Sequence, residues 1–243
     1  MSNKIAICLT TFMNNSQAEK VIDSIQPQLS NNCILLVADQ NKPEERLKNK
    51  EKWKYTFIYY LPFDCGLSFT RNFLVLESKS LNLDFCFITS DNIYFTQQYD
   101  FQRVIDFMLS DSNIGIVGFD IHYFWMYNLA IEDNAWIRIS VNEQTSYNNI
   151  TYRKFDLIPN FFLAKTNCLL ENKWDNELKM SEHLDFFWRI KINTNWKVYY
   201  TDFIKAKRIP CREGEYAKYR KRHLTNEFRS LAWKKYGLTH GDA

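Results

Sequence analysis

Short apolar runs alternate with amphipathic segments through the first 120 residues, and this alternation constrains the fold more than any other feature of the sequence. Runs typical of buried strands cover 4–9, 33–38, 56–61, 85–89 and 114–119. Segments with the spacing of amphipathic helices lie between them, at 16–25, 67–78 and 101–109. Because strands interleaved with helices favour a parallel sheet, we expect an α/β domain with a mostly parallel sheet flanked by helices.

The regular pattern stops between residues 120 and 156, where aromatic and polar residues follow one another without a clear period. This stretch predicts either antiparallel strands or a long active-site loop. Apolar order returns at 157–164, then a helix is predicted at 181–191, a strand around Val198 and helical structure over 215–236. Six Gly and five Pro in 243 residues leave no obvious linker. We expect one domain over 1–204, with a basic helical extension, 205–243, packed on it.

The basic charge is concentrated at the end of the chain. Residues 205–243 hold 11 Lys and Arg against four Asp and Glu, although the whole chain has a net charge of only +3. Such a segment would face a phosphate-bearing substrate, an anionic acceptor glycan or the inner membrane surface; the alternative is a solvated face. We expect no nucleic-acid partner, because no helix-turn-helix, zinc-finger or RNA-recognition pattern accompanies the charge.

The cysteines and the hydropathy indicate a cytoplasmic location, with peripheral contact at the inner membrane surface as an extension of it. The six cysteines form no CxxC pair, which favours buried, reduced thiols. No apolar run reaches the roughly 18 residues that a membrane-spanning helix needs. The first residues also lack the small-residue cleavage site of a signal peptide.

Polar residues follow three of the predicted strands, at the point where each strand ends. They are Thr10 and Thr11, then Asp39, then Ser90, Asp91 and Asn92. In open α/β sheets, ligands bind outside the carboxyl ends of the strands, so these residues could line one crevice. Asp91, between two oxygen-bearing side chains, could hold a hard divalent cation that shares substrate phosphates. The alternative is an Asp that caps a turn or a helix.

The segment SEHLDFFWR predicts a helix that begins at Ser181 and carries two carboxylates. Glu182, Asp185 and Arg189 share one face of it because they are three, four and seven residues apart. The opposite face is apolar and would anchor the helix on the core. Carboxylates that point away from the core, beside His183, suit general-base catalysis. The alternative is an ordinary amphipathic helix with an internal Asp185–Arg189 ion pair.

Taken together, six stretches resemble the inverting glycosyltransferases of the GT-A fold, in family 2 and nearest to the β-1,4-N-acetylgalactosaminyltransferase group. They are ICLTTF (7–12), LLVADQNKPEE (35–45), YYLPFDCGLSFTRN (59–72), FITSDNIYFT (87–96), PNFFLAKTN (159–167) and WDNELKMSEHLDFFWR (174–189). The resemblance implies a Rossmann-like GT-A domain that transfers a hexose or N-acetylhexosamine from a UDP-sugar to a glycan acceptor with inversion, in surface polysaccharide or glycan synthesis. The competing hypothesis is a nucleotide-sugar-binding or assembly module without catalysis.

The resemblance also implies roles for individual residues. The nucleotide-sugar would be bordered by Thr10, Thr11, Phe12, Asp39, Gly66, Arg71, Asn72 and Ser90. FITSDN falls on the family's DXD motif, where Asp91 and Asn92 would bind Mn²⁺ or Mg²⁺, but Asp91 is the only charged ligand left. Lys205 stands near a position where related enzymes supply a His, and could neutralise part of the diphosphate charge. The catalytic base falls within EHLDFF, with Asp185 preferred and Glu182 and His183 as alternatives.

Overall fold

The computed structural model describes residues 3–48, 50–122, 126–140, 142–209 and 214–241. The strands are β1 (Ile5–Thr11), β2 (Cys33–Asp39), β3 (Thr56–Tyr60), β4 (Phe85–Ser90), β5 (Ile93–Phe95), β6 (Ile114–Asp120), β7 (Asn128–Glu132), β8 (Ala135–Ile139), β9 (Gln144–Tyr147), β10 (Ile150–Lys154), β11 (Phe162–Lys165), β12 (Lys197–Arg208) and β13 (His240–Gly241). The helices are α1 (Asn15–Ile25), α2 (Leu67–Ser80), α3 (Phe101–Ser110), α4 (Thr166–Glu171), α5 (Glu182–Asn193) and α6 (Arg222–Lys235). No helix within these ranges combines the length and the apolar character needed to span a bilayer.

The central sheet brings the ends of the early strands together. Its order is β3-β2-β1-β4-β11-β6-β12-β10-β9, with β5 paired to β12, and β7, β8 and β13 form a small second sheet. Strands β1 to β4 are parallel to one another, and β12 is parallel to β6. Thr11 is paired with Asp39 of β2, and Thr10 with Ser90 of β4. The polar residues that follow these strands therefore meet at one edge of the sheet, as the sequence predicts.

The core lies on both faces of the sheet, which explains the uninterrupted apolar runs of the early strands. All seven residues of β1 are buried. Ile5, Ile7 and Leu9 belong to a cluster with the apolar stripe of α1. Ala6 and Cys8 point to the other face and belong to a cluster with the apolar side of α2. The described cysteines are free thiols, four buried and one, Cys65, half-buried, whereas Cys211 lies outside the described residues.

The mostly parallel α/β fold is confirmed, and the stretch between 120 and 156 contains antiparallel strands rather than one long loop. The apolar face of α5 anchors the helix in the core as predicted, through Phe187 and Trp188. The acidic face is not open to a substrate, however, because Glu182 and Asp185 are only 4% and 0% exposed. The reason is that other parts of the chain cover this face: α2 packs Arg71 against Glu182, and the end of α6 packs Tyr236 against Asp185.

Candidate functional site

Asp91 lies in the turn between β4 and β5, at the carboxyl edge of the sheet. Its Oδ2 accepts a hydrogen bond of 3.0 Å from the Thr11 hydroxyl and one of 3.4 Å from the Phe12 amide. Both donors belong to the end of β1, which is the neighbour of β4 in the sheet. The carboxylate therefore connects the ends of two parallel strands, at the place where open α/β sheets bind ligands.

Asp39, at the end of β2, is fully buried and organises the loop that follows it. Its Oδ1 accepts from the backbone amide of Asn41 at 2.9 Å and from the side-chain amide at 2.7 Å. Its Oδ2 accepts from the Leu47 amide at 2.8 Å. The Asn41 side chain in turn accepts from the Met13 amide, just after β1. Both carboxylate oxygens of Asp39 are thus occupied by contacts within the loop that follows β2. Asp39 therefore acts on the site indirectly, by fixing the conformation of this loop.

Gly66 connects the early strands to the segment before α5. Its amide donates to Gln40 Oε1 at 2.9 Å, and its φ of +92° belongs to the region that favours glycine. A Cβ at this position would lie 3.0 Å from Cγ of Lys179. The Lys179 ammonium donates to the Asp64 carbonyl at 2.7 Å and to its carboxylate at 2.9 Å. The loop after β3 is thereby fixed to the residues that lead into α5.

Arg71 and Asn72 fasten α2 to the same segment. Arg71 Nη1 donates to Glu182 Oε1 at 2.7 Å, and both side chains are almost fully buried. The guanidinium also lies 5.5 Å from the ring centroid of Trp174. Asn72 donates to the Trp174 carbonyl at 2.8 Å and accepts from the Trp174 amide at 2.9 Å. Arg71 is therefore engaged in a buried ion pair with Glu182.

Asp185 has three charged or polar donors around its two oxygens. Oδ2 accepts from Arg189 Nε at 2.9 Å, which confirms the internal ion pair considered from the sequence. Oδ1 accepts from Lys235 Nζ at 2.9 Å and from the Tyr236 hydroxyl at 2.7 Å. Because the carboxylate is fully buried and held by these groups, the geometry favours a role in anchoring the end of α6.

His183 differs from its two acidic neighbours because its Nδ1 is buried and has no hydrogen-bond partner among the described residues. Burial lowers the pKa of the imidazole to about 4, although the negative charge of Glu182 acts in the opposite direction. The ring packs edge-on against Phe187, with centroids 5.1 Å apart. A neutral imidazole with a pKa in the range of a carboxylate can accept a proton at this position.

The oxygens around Asp91 do not form the ligand set of a divalent cation. Ser90 donates its hydroxyl to Asn92 Oδ1 at 2.8 Å, so that amide oxygen is occupied. Asp91 Oδ2 already receives two hydrogen bonds from the end of β1. Within the described ranges, no group of three or more His, Cys, Asp or Glu side chains is arranged to hold a metal ion. Asp91 is therefore a single carboxylate with one oxygen already engaged, beside an amide oxygen that is also hydrogen-bonded, and this is a poor fit to the Mn²⁺ or Mg²⁺ that the family resemblance implies.

Lys205 lies on β12, beyond a β-bulge between Thr201 and Lys205. Its carbonyl accepts from Thr96 at 3.1 Å and from the Tyr99 hydroxyl at 2.7 Å. Its ammonium is 3.9 Å from Asp202, and the side chain is 53% exposed. The backbone at Lys205 is thus fixed against the segment that follows Asp91, while the charge remains accessible.

Four aromatic rings pack together beside the end of β1. Phe12 contacts Phe63, Tyr216 and Tyr219 at centroid distances of 5.5, 6.3 and 5.1 Å. Tyr219 also packs edge-on against Phe63 at 6.1 Å. The Lys42 ammonium lies 5.5 Å from the centre of the Phe63 ring. We call Phe12, Phe63, Tyr216 and Tyr219 the aromatic cluster; it brings the C-terminal segment onto the carboxyl edge of the sheet.

Left-handed backbone occurs at the same edge, as it does at six other non-glycine positions in the described part of the chain. Met13, Asp64, His122 and Ser181 have positive φ angles between 49° and 61°. A left-handed conformation costs a non-glycine residue about 1–2 kcal/mol. These residues follow β1, β3 and β6 or immediately precede α5.

The structure brings most of the predicted residues to one region, in two different roles. Thr11, Phe12, Asp91 and Gly66 lie at the carboxyl edge or in the loop beside it, and Thr10 is buried at the end of β1. Asp39, Arg71, Asn72 and Asp185 are buried in internal contacts. Residues that the sequence reasoning missed are Gln40, Phe63, Lys179 and Tyr219. Phe63 lies inside the stretch YYLPFDCGLSFTRN, but nothing local in the sequence indicates that Tyr219 joins it.

Comparison with solved structures identifies neighbours of the whole fold. The chain superposes on S. aureus TarS 1–349 in complex with UDP-GlcNAc with a TM-score of 0.65, 13% identity, and coverage of 94% of this chain and 65% of that chain. Mannosyltransferase PcManGT from Pyrobaculum calidifontis, in complex with GDP-Man and Mn²⁺, gives a TM-score of 0.62 at 9% identity, covering 96% and 65%. Another TarS structure gives 0.62 at 13% identity, covering 94% and 39%.

At these identities, the likeness establishes the fold. The chain spans between about two fifths and two thirds of the length of these neighbours. The neighbours are GT-A-like glycosyltransferases, and they do not support the narrower resemblance to the β-1,4-N-acetylgalactosaminyltransferase group. No protein-family model matches the chain, and no curated protein sequence matches it.

Proposed function

We propose that this chain is a glycosyltransferase that transfers a hexose or N-acetylhexosamine from a UDP-sugar to a glycan hydroxyl with inversion. The observation that carries the proposal is the pair of hydrogen bonds from Thr11 and Phe12 to Asp91. These bonds join the carboxyl end of β1 to the turn that follows β4. The neighbouring fold in TarS is one that was solved with UDP-GlcNAc. The aromatic cluster beside Phe12 offers apolar ring surface to the nucleobase.

In this proposal the proton acceptor is on the first turn of α5, and a series of contacts links that turn to the carboxyl edge. Gln40 and Gly66 connect the loops after β2 and β3, Lys179 connects the latter to the residues before α5, and Arg71 holds Glu182. Of the three residues left open by the sequence, His183 is the one that forms no ion pair within the described part of the chain, and we propose it as the base. Glu182 is paired with Arg71, and Asp185 is surrounded by donors.

In the proposed reaction, the acceptor hydroxyl oxygen attacks the anomeric carbon and the bond between that carbon and the diphosphate oxygen breaks. The bonding electrons leave with the diphosphate, and the hydroxyl proton passes to the imidazole of His183. The imidazolium that forms is stabilised by the carboxylate of Glu182, which already favours the protonated ring. One displacement at the anomeric carbon gives inversion.

Turnover tests this proposal. Release of UDP from a panel of UDP-sugars, with glycan acceptors, should be lowered by about 10²–10⁴-fold in His183→Gln, while UDP binding is retained. His122→Gln is a matched control, since this side chain is 70% exposed and its imidazole lies 3.8 Å from Asp120. Full activity of His183→Gln would move the base to Glu182 or Asp185.

The second candidate is a nucleotide-sugar-binding or assembly module without catalysis. The departure from the DXD pattern around Asp91, and the occupied carboxylate of Asp185, favour it. It predicts that UDP-sugars raise the melting temperature while no acceptor leads to UDP release. At a ligand concentration about 100 times its Kd, the gain in stability is about 2.7 kcal/mol for either candidate, so only turnover separates them.

A further inference from the structure

The last residues of β12 run alongside the turn that carries Asp91. Lys207 is paired with Tyr94 of β5, and Ala206 with Phe95. Beyond the strand, the Ile209 amide donates to the carbonyl of Asn92 at 2.9 Å. Asn92 directly follows Asp91 in the sequence. The end of β12 is therefore fixed beside the proposed donor site by backbone hydrogen bonds, independently of any side chain.

The pairing also shows on which side of β12 the Lys207 side chain projects. Directly opposed residues of an antiparallel pair project to the same side. Ala206 and Phe95 are buried in the core, so Lys207 and Tyr94 project to the opposite side. Burial raises the pKa of Tyr94, and the negative charge of Asp91 adds to this. Lys205, two residues earlier, shares the side of Lys207.

The charges of these two lysines remain available. Lys205 and Lys207 are exposed. The ammonium of Lys205 lies 3.9 Å from the exposed carboxylate of Asp202, at the limit of a salt bridge. Lys207 forms no ion pair with any residue in the described part of the chain. Two ammonium groups carry the same formal charge as one divalent cation, and the strand that carries these two runs alongside the turn of Asp91 and Asn92.

We infer that Lys205 and Lys207 bind the diphosphate of the donor in place of a divalent cation, so that donor binding and departure of the diphosphate need no metal. The inference rests on the proposed function, and it assigns a role to Lys207 that the sequence did not suggest. Fixed cations directed at the charge that develops on a leaving group stabilise the transition state. Lysine does this as a point charge, without the ligand set that Mn²⁺ or Mg²⁺ needs.

Isothermal titration with UDP and with UDP-GlcNAc tests the inference, in EDTA and in excess Mn²⁺ or Mg²⁺. For the unmodified chain we expect the same Kd, within about twofold, in both conditions. The double variant Lys205→Gln/Lys207→Gln should bind at least about tenfold more weakly in EDTA, a loss of about 1.4 kcal/mol. Lys197→Gln, which removes the same charge at the other end of β12, should leave the Kd unchanged, and melting temperatures check the fold of each variant.

The outcomes separate the inference from the proposed function. Binding that occurs only with the metal ion overturns the inference and leaves the proposed function standing. Binding in EDTA that the double variant does not weaken overturns the role of the two lysines. If neither UDP nor UDP-GlcNAc binds in either condition, the proposed function fails as well.

Discussion

Asp185 is the residue for which structure and sequence differ most. Its position in EHLDFF makes it the preferred base from the sequence, yet the folded chain surrounds it with Arg189, Lys235 and Tyr236. No pattern near Asp185 could have indicated this, because two of its donors lie about 50 residues further along the chain. The ion pair with Arg189, in contrast, follows from helical spacing alone.

We predict that Asp185→Asn lowers the free energy of unfolding by roughly 3 kcal/mol or more, because it removes the negative charge from a buried group with two cationic partners. Urea unfolding measures this. Asp202→Asn is the control; it removes the same charge from a side chain that is 65% exposed, and should change stability by less than about 0.5 kcal/mol. Unchanged stability together with lost turnover would restore Asp185 as the base.

We predict that His183 makes the stability of the fold depend on pH. Its pKa is lowered to about 4 in the folded chain, below the ordinary value near 6.5, so the unfolded chain binds the proton more readily. Above pH 6.5, neutral His183 makes its full contribution to the free energy of unfolding. This contribution is lost as pH falls towards 4. It amounts to up to about 3 kcal/mol.

Urea unfolding between pH 4 and pH 7 measures this contribution. The slope of stability against pH should flatten in His183→Gln and stay steep in His122→Gln, whose imidazole is exposed. Equal slopes in the two variants would show that burial does not control the protonation of His183.

At the scale of elements, the sequence predicted most strands and helices within a few residues, because the parallel strands are buried on both sides and the helices between them keep a single apolar stripe. It could not predict how α2 and α5 are joined. That joint depends on Arg71 with Glu182, and on the loop at Gly66, and their partners are more than 100 residues apart. The apolar run at 157–164 was also too long, since β11 covers only Phe162–Lys165.

Gly66 and Gly237 provide a matched test of that joint. Both have positive φ, 92° and 68°, but a Cβ would meet Lys179 only at Gly66 and would meet nothing within 4 Å at Gly237. We expect Gly237→Ala to lower stability by about 1 kcal/mol, and Gly66→Ala to lower it further and to weaken UDP binding. Thermal unfolding and titration measure the two effects. Equal losses of stability with unchanged UDP affinity would mean that this loop does not shape the site.

For the molecule as a whole, the basic end of the chain does not act as one surface. Lys205 and Lys207 lie beside the proposed donor site, whereas Lys235 is bound to Asp175 and Asp185. Tyr219 joins the aromatic cluster at the carboxyl edge. The sequence predicted a separate extension packed on the domain. The composition of this segment shows its basic charge, but it does not show which lysines lie beside the proposed donor site and which form internal ion pairs. Removing residues 215–243 would therefore expose the core, so charge replacement is the better test of their surface role.

Contact of this segment with an anionic surface stays a prediction. Lys221 and Lys234 are exposed, and we expect binding to anionic lipid vesicles to weaken as salt rises and to decrease in Lys221→Gln/Lys234→Gln. Co-sedimentation with vesicles of anionic and of neutral lipid measures this. Lys20→Gln/Lys54→Gln removes two exposed charges elsewhere and serves as the control. Vesicle binding that changes neither with salt concentration nor in Lys221→Gln/Lys234→Gln would contradict the prediction.

A crystal structure of the chain with UDP-GlcNAc tests the central claim most directly. The account predicts that the diphosphate lies at the carboxyl edge of β1 and β4, near Asp91, with the ammonium groups of Lys205 and Lys207 within ion-pair distance of it. The sugar should then face His183 on the first turn of α5. A nucleotide-sugar bound elsewhere on the molecule, or a diphosphate out of reach of both Asp91 and α5, would contradict it.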